Sequence, residues 1–558
     1  MKENKNILIA VLLSLAVLAG FEILMPPPKR DIPVQAEATS APEQIAEAAL
    51  QKPSEPVEAV EEKIEETPQI PSVSFQIKNA HVSGSISSAG GKIERLVLSD
   101  YKETIEKNSP AVEWLSPTFY AAFSLSGEEI ETPALNAVWQ ADSDSLTPEK
   151  PLTLTWKNRQ GILFKRTIAL DDGYMFTITD SVQNTTDKVV SLSAEASLIR
   201  HNPPEITAGT VHEGFVGFLD NSLQEKKYNA LKDEQKLDFL TQKGWLGQTD
   251  KYWLATLIFD QKTKDVAASF RQKKDSEESI YTSSFRTPVQ KVAPGETFTN
   301  TTRLFAGPKV LKLIEHYQKD LNIEKFELAI DFGWYYFLTK PFLQILSFLK
   351  NLVGNMGIAI LIFATILRLL MLPIAGKSFE STAKMKKIQP QMKRLQEMYK
   401  NDKMRLNQEM MLLYRKEKVN PAAGCLPMMI QIPVFFSLYK VLSVSIEMRQ
   451  APFFGWIHDL SMPDPSSVFS LFGYAPWPVP SLLDIGVWPV LMGITMVLQQ
   501  RMTPAPNGNK DQAAVLKWMP IIFTFMLGRF ASGLVIYWAW SNLLSILQQH
   551  HIMKKYGK

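Results

Sequence analysis

The sequence is nearly free of cysteine, with Cys425 as the single thiol in 558 residues. A disulfide needs two thiols, so no intramolecular disulfide stabilises any part of the chain. The seven histidines are scattered without metal-ligand spacing, and no Gly-x-Ser-x-Gly nucleophile elbow is present. Gly90-Gly91-Lys92 ends like a phosphate-binding loop but lacks the upstream glycine and the following Ser or Thr. These absences predict a protein that is not an enzyme and holds neither a metal nor a cofactor.

The N-terminus combines two lysines with a long apolar run. Lys2 and Lys5 precede residues 7–25, a run that is long for a signal-peptide core and lacks an Ala-x-Ala cleavage site. An uncleaved signal-anchor span over 1–25 is therefore favoured over a cleaved signal peptide. Residues 26–70 are rich in Pro, Glu and Ala with almost no aromatics, which predicts a flexible linker.

Residues 71–330 change to short runs in which apolar and polar residues alternate. Leu152, Leu154 and Trp156 are separated by threonines, and Phe176 and Ile178 stand in a similar run. Turn-forming stretches such as Asp-Asp-Gly and Asn-Thr-Thr divide the runs. Alternation of period two at this spacing predicts a large antiparallel β-sandwich. The charged stretch 221–240 predicts a helical insert within it.

Residues 331–355 are apolar enough to be mistaken for a membrane span. However, Lys340, Gln344, Ser347 and Asn351 recur at steps of four, three and four, which places them on one helical face. Apolar side chains fill the remaining surface. This pattern predicts an amphipathic helix that lies in the membrane interface.

The rest of the chain alternates apolar spans with loops of contrasting charge. Twelve Lys or Arg stand against five acids in 377–418, whereas one Arg stands against four acids in 443–484. Basic loops remain in the cytoplasm, so the first of these loops is predicted inside and the second outside. The segments are span two (356–375), a cytoplasmic basic helical hairpin (376–419), span three (420–442), an outer loop (443–484), span four (485–502), a cytoplasmic loop (503–514), span five (515–531), span six (533–550) and a basic cytoplasmic tail (551–558). With the signal anchor this gives six spans, both termini in the cytoplasm and the sandwich outside.

The basic hairpin carries two apolar stripes that predict antiparallel helices packed against each other. The stripes consist of Met385, Ile388, Met392, Leu395 and Tyr399, answered by Leu406, Met410 and Leu413. Its lysines and arginines have two interpretations. They form a solvated face that follows from the topology, or they contact anionic lipid headgroups, a ribosome or a client protein.

Arg368 lies inside the apolar run of span two. A charge at this depth is costly unless it faces water or a partner. One interpretation is that the side chain reaches toward the nearby cytoplasmic interface, and the favoured one is a hydrated cavity in the helix bundle. Other polar residues at membrane depth are Gln431, Gln499, Ser541 and Asn542, which lie near the middle or cytoplasmic end of their spans. Together they predict a groove that is open to the cytoplasm and closed toward the outside.

Several local motifs in the C-terminal half are similar to those of a known family. They are Arg368 before Pro373, Val419-Asn420-Pro421, Gly424-Cys425-Leu426-Pro427, Gln431-Ile432-Pro433, Arg449-Gln450-Ala451-Pro452-Phe453, Trp456-Ile457-His458-Asp459-Leu460 and Ser532-Gly533-Leu534. In this set the chain resembles the YidC family of membrane protein insertases, in its Gram-negative form with a large periplasmic domain. One departure is Ala364, which stands where the well-known family form has Thr, with Thr365 adjacent.

The resemblance implies an α-helical polytopic inner-membrane protein with a five-helix insertase core and a periplasmic β-supersandwich like that of galactose mutarotase. It implies a hydrophilic groove around Arg368 and a hydrophobic slide that takes the client's transmembrane segment. The residues that match the slide are Leu426, Pro427, Met428, Val434, Phe435, Tyr537 and Trp538. The implied partners are nascent membrane proteins and the Sec translocon, without direct nucleic-acid contact. A secondary transporter and a membrane-anchored carbohydrate enzyme are the alternatives.

Overall fold

A computed structural model describes residues 73–203, 211–231, 236–275, 278–417, 419, 426–470, 474, 484–502 and 510–556. The predicted signal anchor and linker, over 1–70, lie outside the described residues, as does Cys425. The described chain has two parts. Residues 73–310 form a β-domain, and most of the residues from 311 onward form helices.

The β-domain consists of two sheets whose strands are almost all antiparallel. Within the described residues the first sheet holds eleven strands: β1 Ser74–Lys78, β2 Val82–Ser87, β3 Ile93–Lys102, β4 Ala111–Leu115, β5 Phe119–Glu128, β7 Ser145–Leu146, β11 Val190–His201, β14 Lys236–Thr241, β17 Val266–Asp275, β18 Glu278–Arg286 and β19 Gln290–Val292. The second sheet holds nine strands: β6 Gln140–Ala141, β8 Leu152–Lys157, β9 Leu163–Leu170, β10 Met175–Gln183, β12 Gly214–Leu219, β13 Ser222–Lys227, β15 Trp245–Thr249, β16 Trp253–Phe259 and β20 Thr297–Pro308. The predicted antiparallel β-sandwich is thus confirmed.

Alternation along the strands decides which side chains enter the core. Leu152 and Leu154 on β8 are fully buried, and so are Phe176 and Ile178 on β10. Ile178 stands opposite Ile168 of β9, so the inward positions of neighbouring strands share one face. The buried apolar area between the sheets is the main source of this domain's stability.

The predicted helical insert at 221–240 is wrong. The stretch forms β13, a single 3-10 turn at Tyr228–Ala230 and β14, with residues 232–235 outside the described part. Asp220 and Asn221 adopt positive φ angles, 49° and 57°, and make the tight turn that pairs β13 with β12. The Gln, Glu and Lys residues of β13 favour helices by intrinsic propensity, but pairing along the sheet edge outweighs it.

A buried arginine, ion-paired within its own sheet, joins the two sheets. The Arg166 guanidinium on β9 donates to the Asp180 carboxylate at 2.7 and 3.4 Å. It also donates to the carbonyl oxygens of Gly90 and Phe123, which belong to the opposite layer, at 3.2 and 3.0 Å. All of its charge is therefore matched inside the domain.

The remaining chain is helical. The helices are α1 Leu311–Asp320, α2 Tyr336–Val353, α3 Met356–Leu370, α4 Leu372–Met398, α5 Lys403–Lys416, α6 Leu426–Val444, α7 Val487–Met502, α8 Lys510–Leu527 and α9 Ser532–Tyr556. Gly354 ends α2 with a φ angle of +71°, and the Asn355 side chain accepts the Ile358 N–H that opens α3. These two residues make the sharp turn between α2 and α3.

Helices α3 and α4 join at a bend. Within the described residues no single helix has both the length and the hydropathy to cross a membrane, and only α3 and α4 taken together reach both, with a 65° bend between them. Pro373 lies in the first turn of α4, where its missing N–H costs nothing, so the chain starts a new helix there. Arg368 stands in the last turn of α3, directly before the bend.

Helix α9 lies at the centre of the helical part and packs against α3, α4, α6 and α7. Helix α2 packs against both α3 and α6. Helices α4 and α5 form a hairpin in which Ile388 and Met392 are buried with Val419. Asp402 caps α5 by accepting the Arg405 N–H at 3.0 Å.

Candidate functional site

A polar stripe runs along the face of α9 that looks toward α3 and α6. The α9 stripe consists of Tyr537, Ser541 and Ser545, which follow one another at steps of four and share one helical face. All three are buried. The stripe therefore offers hydrogen-bonding groups over three consecutive turns of one face of α9.

Arg368 reaches the stripe from α3. Its Nη2 donates to the Ser541 carbonyl oxygen at 2.9 Å and to the Ser541 Oγ at 3.1 Å. It also donates to the Ser545 Oγ. These partners are neutral, and among the described residues no carboxylate forms an ion pair with Arg368. The residue as a whole is half-buried, and its charge is hydrogen-bonded to these groups without being neutralised by them.

Gln431 joins α6 to the N-terminal end of the stripe. Its Nε2 donates to the Tyr537 hydroxyl at 3.1 Å. Tyr537 precedes Ser541 by one helical turn, so Gln431 and Arg368 both contact this face from different helices. The structure therefore brings together Arg368, Gln431 and Ser541, three of the five predicted groove residues.

The other two predicted groove residues are associated with α7: Asn542 contacts that helix, and Gln499 belongs to it. Asn542 is buried, and its Nδ2 donates to the Thr495 Oγ1 on α7 at 3.3 Å. Gln499 follows Thr495 by one turn of α7 and is half-buried. The Asn542 contact therefore connects α9 to α7, whereas Ser541 connects α9 to Arg368 on α3.

Thr365 also has a place in this arrangement. Its hydroxyl accepts the Trp540 Nε1–H at 3.0 Å and donates to the Leu361 carbonyl oxygen at 2.8 Å. The departure noted at Ala364 therefore leaves a hydroxyl near Arg368, but one that is already engaged with α9.

The predicted slide residues that the structure describes lie where α6 faces α9. The Phe435 and Trp538 rings meet edge to face with centroids 4.6 Å apart, and Val434 packs against the same core. We call this contact the α6–α9 seam. Next to the seam, Ile432 and Phe436 of α6 are exposed at the surface. Leu426, Pro427 and Met428 form the start of α6, and their side chains lie outside the described part.

Sequence reasoning missed Ser545 and the Thr365–Trp540 contact. Ser545 lies four residues after Ser541, so a search for hydroxyls at helical spacing would have found it. Thr365 and Trp540 are far apart along the chain, and no local pattern relates them.

Two family sequence patterns match this chain. The pattern described as the YidC periplasmic domain matches residues 74–345, which contain the β-domain. The pattern described as 60Kd inner membrane protein matches residues 348–558, which contain the Arg368 site.

Curated proteins similar to this chain include membrane protein insertases named YidC. The one from Rickettsia massiliae is 42% identical over 558 residues, with 98% of this chain and 99% of the relative covered. The one from Methylobacterium nodulans is 44% identical over 594 residues, with 100% of this chain and 96% of the relative covered.

Solved structures show weaker likeness. An active YidC insertase crystal structure with the first transmembrane domain resolved covers 85% of this chain and 92% of its own, at 17% identity and a TM-score of 0.36. A galactose mutarotase related enzyme from Lactobacillus acidophilus covers 42% of this chain and 97% of its own, at 13% identity and a TM-score of 0.30.

Proposed function

Because this chain belongs to the YidC family of membrane protein insertases, we propose that Arg368 and the α9 stripe form the polar wall of its client groove. The family membership makes the chain an inner-membrane insertase with a periplasmic β-domain. It sets aside the secondary transporter and the carbohydrate enzyme. The groove receives the hydrophilic tail of a client, and the client's apolar segment leaves along the α6–α9 seam.

The proposed topology has six spans and both termini in the cytoplasm. It combines the signal anchor at 1–25 with five spans formed by α3, α6, α7, α8 and α9, the last five making the insertase core. The charge of the connecting loops supports it, since the α4–α5 hairpin is basic and the loop after α6 is not. Helix α2 then lies in the outer interface beside the β-domain.

Client insertion is limited by the polar tail. An apolar helix already prefers lipid, but its flanking polar residues must cross hydrocarbon, where unsatisfied polar groups cost several kcal/mol each. A groove that brings water and hydrogen-bonding groups part of the way shortens the apolar distance. The membrane potential then draws acidic residues outward with roughly 2.3 kcal/mol per charge per 100 mV.

One observation carries this proposal. Arg368 contacts neutral groups, and no carboxylate among the described residues pairs with it. In a buried ion pair, a carboxylate of the protein would neutralise the Arg368 guanidinium and leave no net charge to attract a client. A guanidinium held in place by hydroxyl and carbonyl oxygens keeps its attraction for an acidic client residue.

The exit path is supported by the chemistry of the seam. Ile432 and Phe436 on α6 and Leu547 on α9 present exposed apolar side chains. An apolar client helix can move from these surfaces into lipid without exposing its own side chains to water. Val434, Phe435, Tyr537 and Trp538 then form the wall behind it.

The partners beyond client proteins are also part of the proposal. The Sec translocon follows from the family resemblance alone. Anionic lipid headgroups and a ribosome are favoured by the α4–α5 hairpin, where twelve Lys or Arg occur in residues 377–418. Solvation of the same residues is the simpler alternative.

Arg368→Ala tests the charge attraction. Two clients with the same apolar span are compared in proteoliposomes, one with two Asp in its tail and one with two Asn. Arg368→Ala is expected to reduce insertion of the Asp client by about tenfold, or roughly 1.4 kcal/mol, and that of the Asn client much less. Arg368→Lys is the matched control and retains most of the activity. Normal insertion of the Asp client by Arg368→Ala would refute this step.

Labelling of a single thiol tests whether the groove is wet from the cytoplasm. Gln431→Cys, at a half-buried groove position, is placed in a Cys425→Ser background, because Cys425 is the native thiol. A membrane-impermeant maleimide is expected to react from the cytoplasmic side and not from the periplasmic side. Trp456→Cys, in the outer loop, is the control with the opposite sidedness. A site that stays unlabelled, or labels only from outside, would contradict the groove.

A further inference from the structure

Asp331, which lies between the β-domain and α2, contacts both the β-domain and α6. The Lys440 Nζ on α6 lies 2.5 Å from the Asp331 Oδ2. The same carboxylate accepts the backbone N–H of His212 at 2.9 Å and that of Gly333 at 3.2 Å. Asp331 therefore connects the β-domain, the entry to α2 and the outer half of α6.

This ion pair is largely shielded from solvent. The side chains of Lys440 and Asp331 are 13% and 15% exposed. Burial alone would raise the pKa of Asp331, but the Lys440 charge and hydrogen bond, with the His212 N–H, hold that pKa below its usual value. The carboxylate is thus ionised at neutral pH. Removing one partner of such a pair leaves the other buried and unmatched, which is strongly unfavourable.

The chain around Asp331 is shaped to receive the lysine. Gly333 has a φ of +68°, a conformation that side chains rarely adopt. A Cβ added to it would lie 3.3 Å from the Lys440 Cε and 3.6 Å from the Cδ. The glycine therefore allows both the turn and the close approach of the lysine stem.

Lys440 lies on the side of α6 that faces away from the seam. It follows Gln431 by nine residues, which is about 13.5 Å along the helix and about half a turn in direction. Gln431 and Phe435 contact α9, whereas Lys440 contacts the β-domain side. Helix α6 is thus held from opposite sides, toward α9 near its middle and toward the β-domain at its outer half.

Other polar contacts fix the loop that follows α6 but not the helix itself. Ser347 on α2 donates to the Glu447 Oε2 at 2.6 Å. Arg449 and Gln450 donate to the carbonyl oxygens of Lys102 and Glu103 at the end of β3. These contacts place the loop on the β-domain, and the Lys440 pair extends this attachment onto α6.

We propose that the Asp331–Lys440 ion pair positions α6 and so sets the width of the α6–α9 seam. Both are positioning residues that act through α6 and do not touch the client. The inference rests on the proposed exit of clients along this seam. It assigns the β-domain a mechanical role in release, because the domain orients Asp331 through the His212 N–H.

Pulsed electron resonance measures the position of α6 without a client. Spin labels replace the exposed Phe436 on α6 and the exposed Met526 on α8, in the full chain with Cys425→Ser in lipid nanodiscs. Lys440→Met removes the charge and keeps the stem. It is expected to broaden the distance distribution and shift its maximum by roughly 1–2 Å, the usual scale of helix shifts at interfaces.

Matched variants separate positioning from a general loss of structure. Lys340→Met removes another lysine at the domain junction, which pairs with Glu315 at 2.9 Å, and is expected to leave the distribution unchanged. Lys440→Arg is expected to restore it, and Asp331→Asn to reproduce the effect of Lys440→Met. Unchanged distances in both Lys440→Met and Asp331→Asn, or equal shifts in Lys340→Met, would overturn the proposal.

Insertion assays distinguish this inference from the groove. Lys440→Met is expected to slow insertion of Asp-tailed and Asn-tailed clients alike. The reason is that release along the seam does not depend on the charge of the client's tail. Arg368→Ala affects mainly the Asp-tailed client. If Arg368→Ala had no effect while Lys440→Met shifted α6, the groove would fail and the positioning role of the pair would stand. Selective loss of the Asp-tailed client in Lys440→Met would count against positioning.

Discussion

Two arginines, one in each part of the molecule, are held in opposite ways. Arg166 in the β-domain is 1% exposed and pairs with Asp180 at 2.7 Å. Its guanidinium also stacks on Trp139, 5.0 Å from the ring centroid. Arg368 in the helical part is half-buried, and its hydrogen-bond partners among the described residues are serine hydroxyl and carbonyl oxygens. A carboxylate neutralises the charge of Arg166. The described partners of Arg368 form hydrogen bonds with it but do not neutralise its charge.

This difference separates a structural charge from an available one. Removing a charge from water is costly, and a carboxylate partner recovers the cost by neutralising it. The β-domain uses this solution at Arg166 and at Arg200, whose guanidinium forms two bonds to Asp250 at 2.6 and 2.9 Å. The helical part leaves the net charge of Arg368 in place. The groove proposed above uses a charge of this second kind, because a client could then supply the missing anion.

The largest expected effect is the loss of β-domain stability when the Arg166–Asp180 ion pair is broken. Asp180→Ala leaves Arg166 buried without its carboxylate, and should lower the free energy of unfolding of the β-domain by about 3–5 kcal/mol. Tryptophan fluorescence of the full chain during denaturation in detergent measures it. Glu195→Ala, which removes the partner of the exposed Arg286, is the control and should cost less than about 1 kcal/mol. Equal losses in the two variants would remove the distinction.

The two parts should also respond differently to pH. Burial lowers the pKa of His212 to about 4 from its ordinary 6.5, against the opposing effects of the Phe215 carbonyl and Asp331. The folded β-domain therefore binds fewer protons than the unfolded chain in this interval. The contribution of His212 to the free energy of unfolding is fully present above pH 6.5. It decreases as the pH drops toward 4, by up to about 3 kcal/mol.

Melting temperatures of the full chain between pH 7 and pH 4 measure this loss. His212→Gln keeps a donor for the Phe215 carbonyl, which the Nε2 contacts at 2.7 Å, and removes the titration. Its melting temperature should change less over the same interval. The Arg368 contacts involve hydroxyl and carbonyl oxygens, which do not titrate. An unaltered slope in His212→Gln would assign the acid sensitivity to other groups.

A third change gives Arg368 the kind of partner that Arg166 has. Ser545→Asp places a carboxylate next to the guanidinium and should reduce insertion of Asp-tailed clients by about tenfold, roughly 1.4 kcal/mol. Ser545→Asn adds similar volume without charge and should retain most of the activity. Proteoliposome insertion measures both. Full activity of Ser545→Asp would mean that the charge of Arg368 is not what the client uses.

The smallest expected effect concerns the neutral contacts of the helical part. Gln431→Leu removes the hydrogen bond to Tyr537 and should lower the free energy of unfolding by about 0.6–1.7 kcal/mol. Steric-trapping or denaturation measurements in bicelles determine it. Ile432→Leu, on the exposed face of α6, is the control with an expected change near zero. A loss of free energy of unfolding as large as that of Asp180→Ala would show that a neutral hydrogen bond stabilises this protein as much as a buried ion pair does.

Prediction from the sequence succeeded where local periodicity decides the structure. The alternation at Leu152, Leu154 and Phe176 predicted the sandwich. It failed at 221–240, because the helix-favouring residues there pair along two sheet edges: β13 pairs with the adjacent β12 through a tight turn, and β14 pairs with the more distant β17. The depth of Arg368 marked it as special, but Ser545 and Trp540 near it emerge only when α3 and α9 are packed together.

The outer end of α3 depends on a piece of chain that comes much later. The Asn355 Nδ2 donates to the Pro452 carbonyl oxygen across 97 residues, at 3.4 Å. A Cβ on Gly357 would lie 2.0 Å from the Phe453 ring, so ring and backbone are in direct contact. During synthesis α3 reaches the ribosomal exit long before this loop does. A partly synthesised chain therefore holds α3 without these contacts, which form only once the loop has been translated.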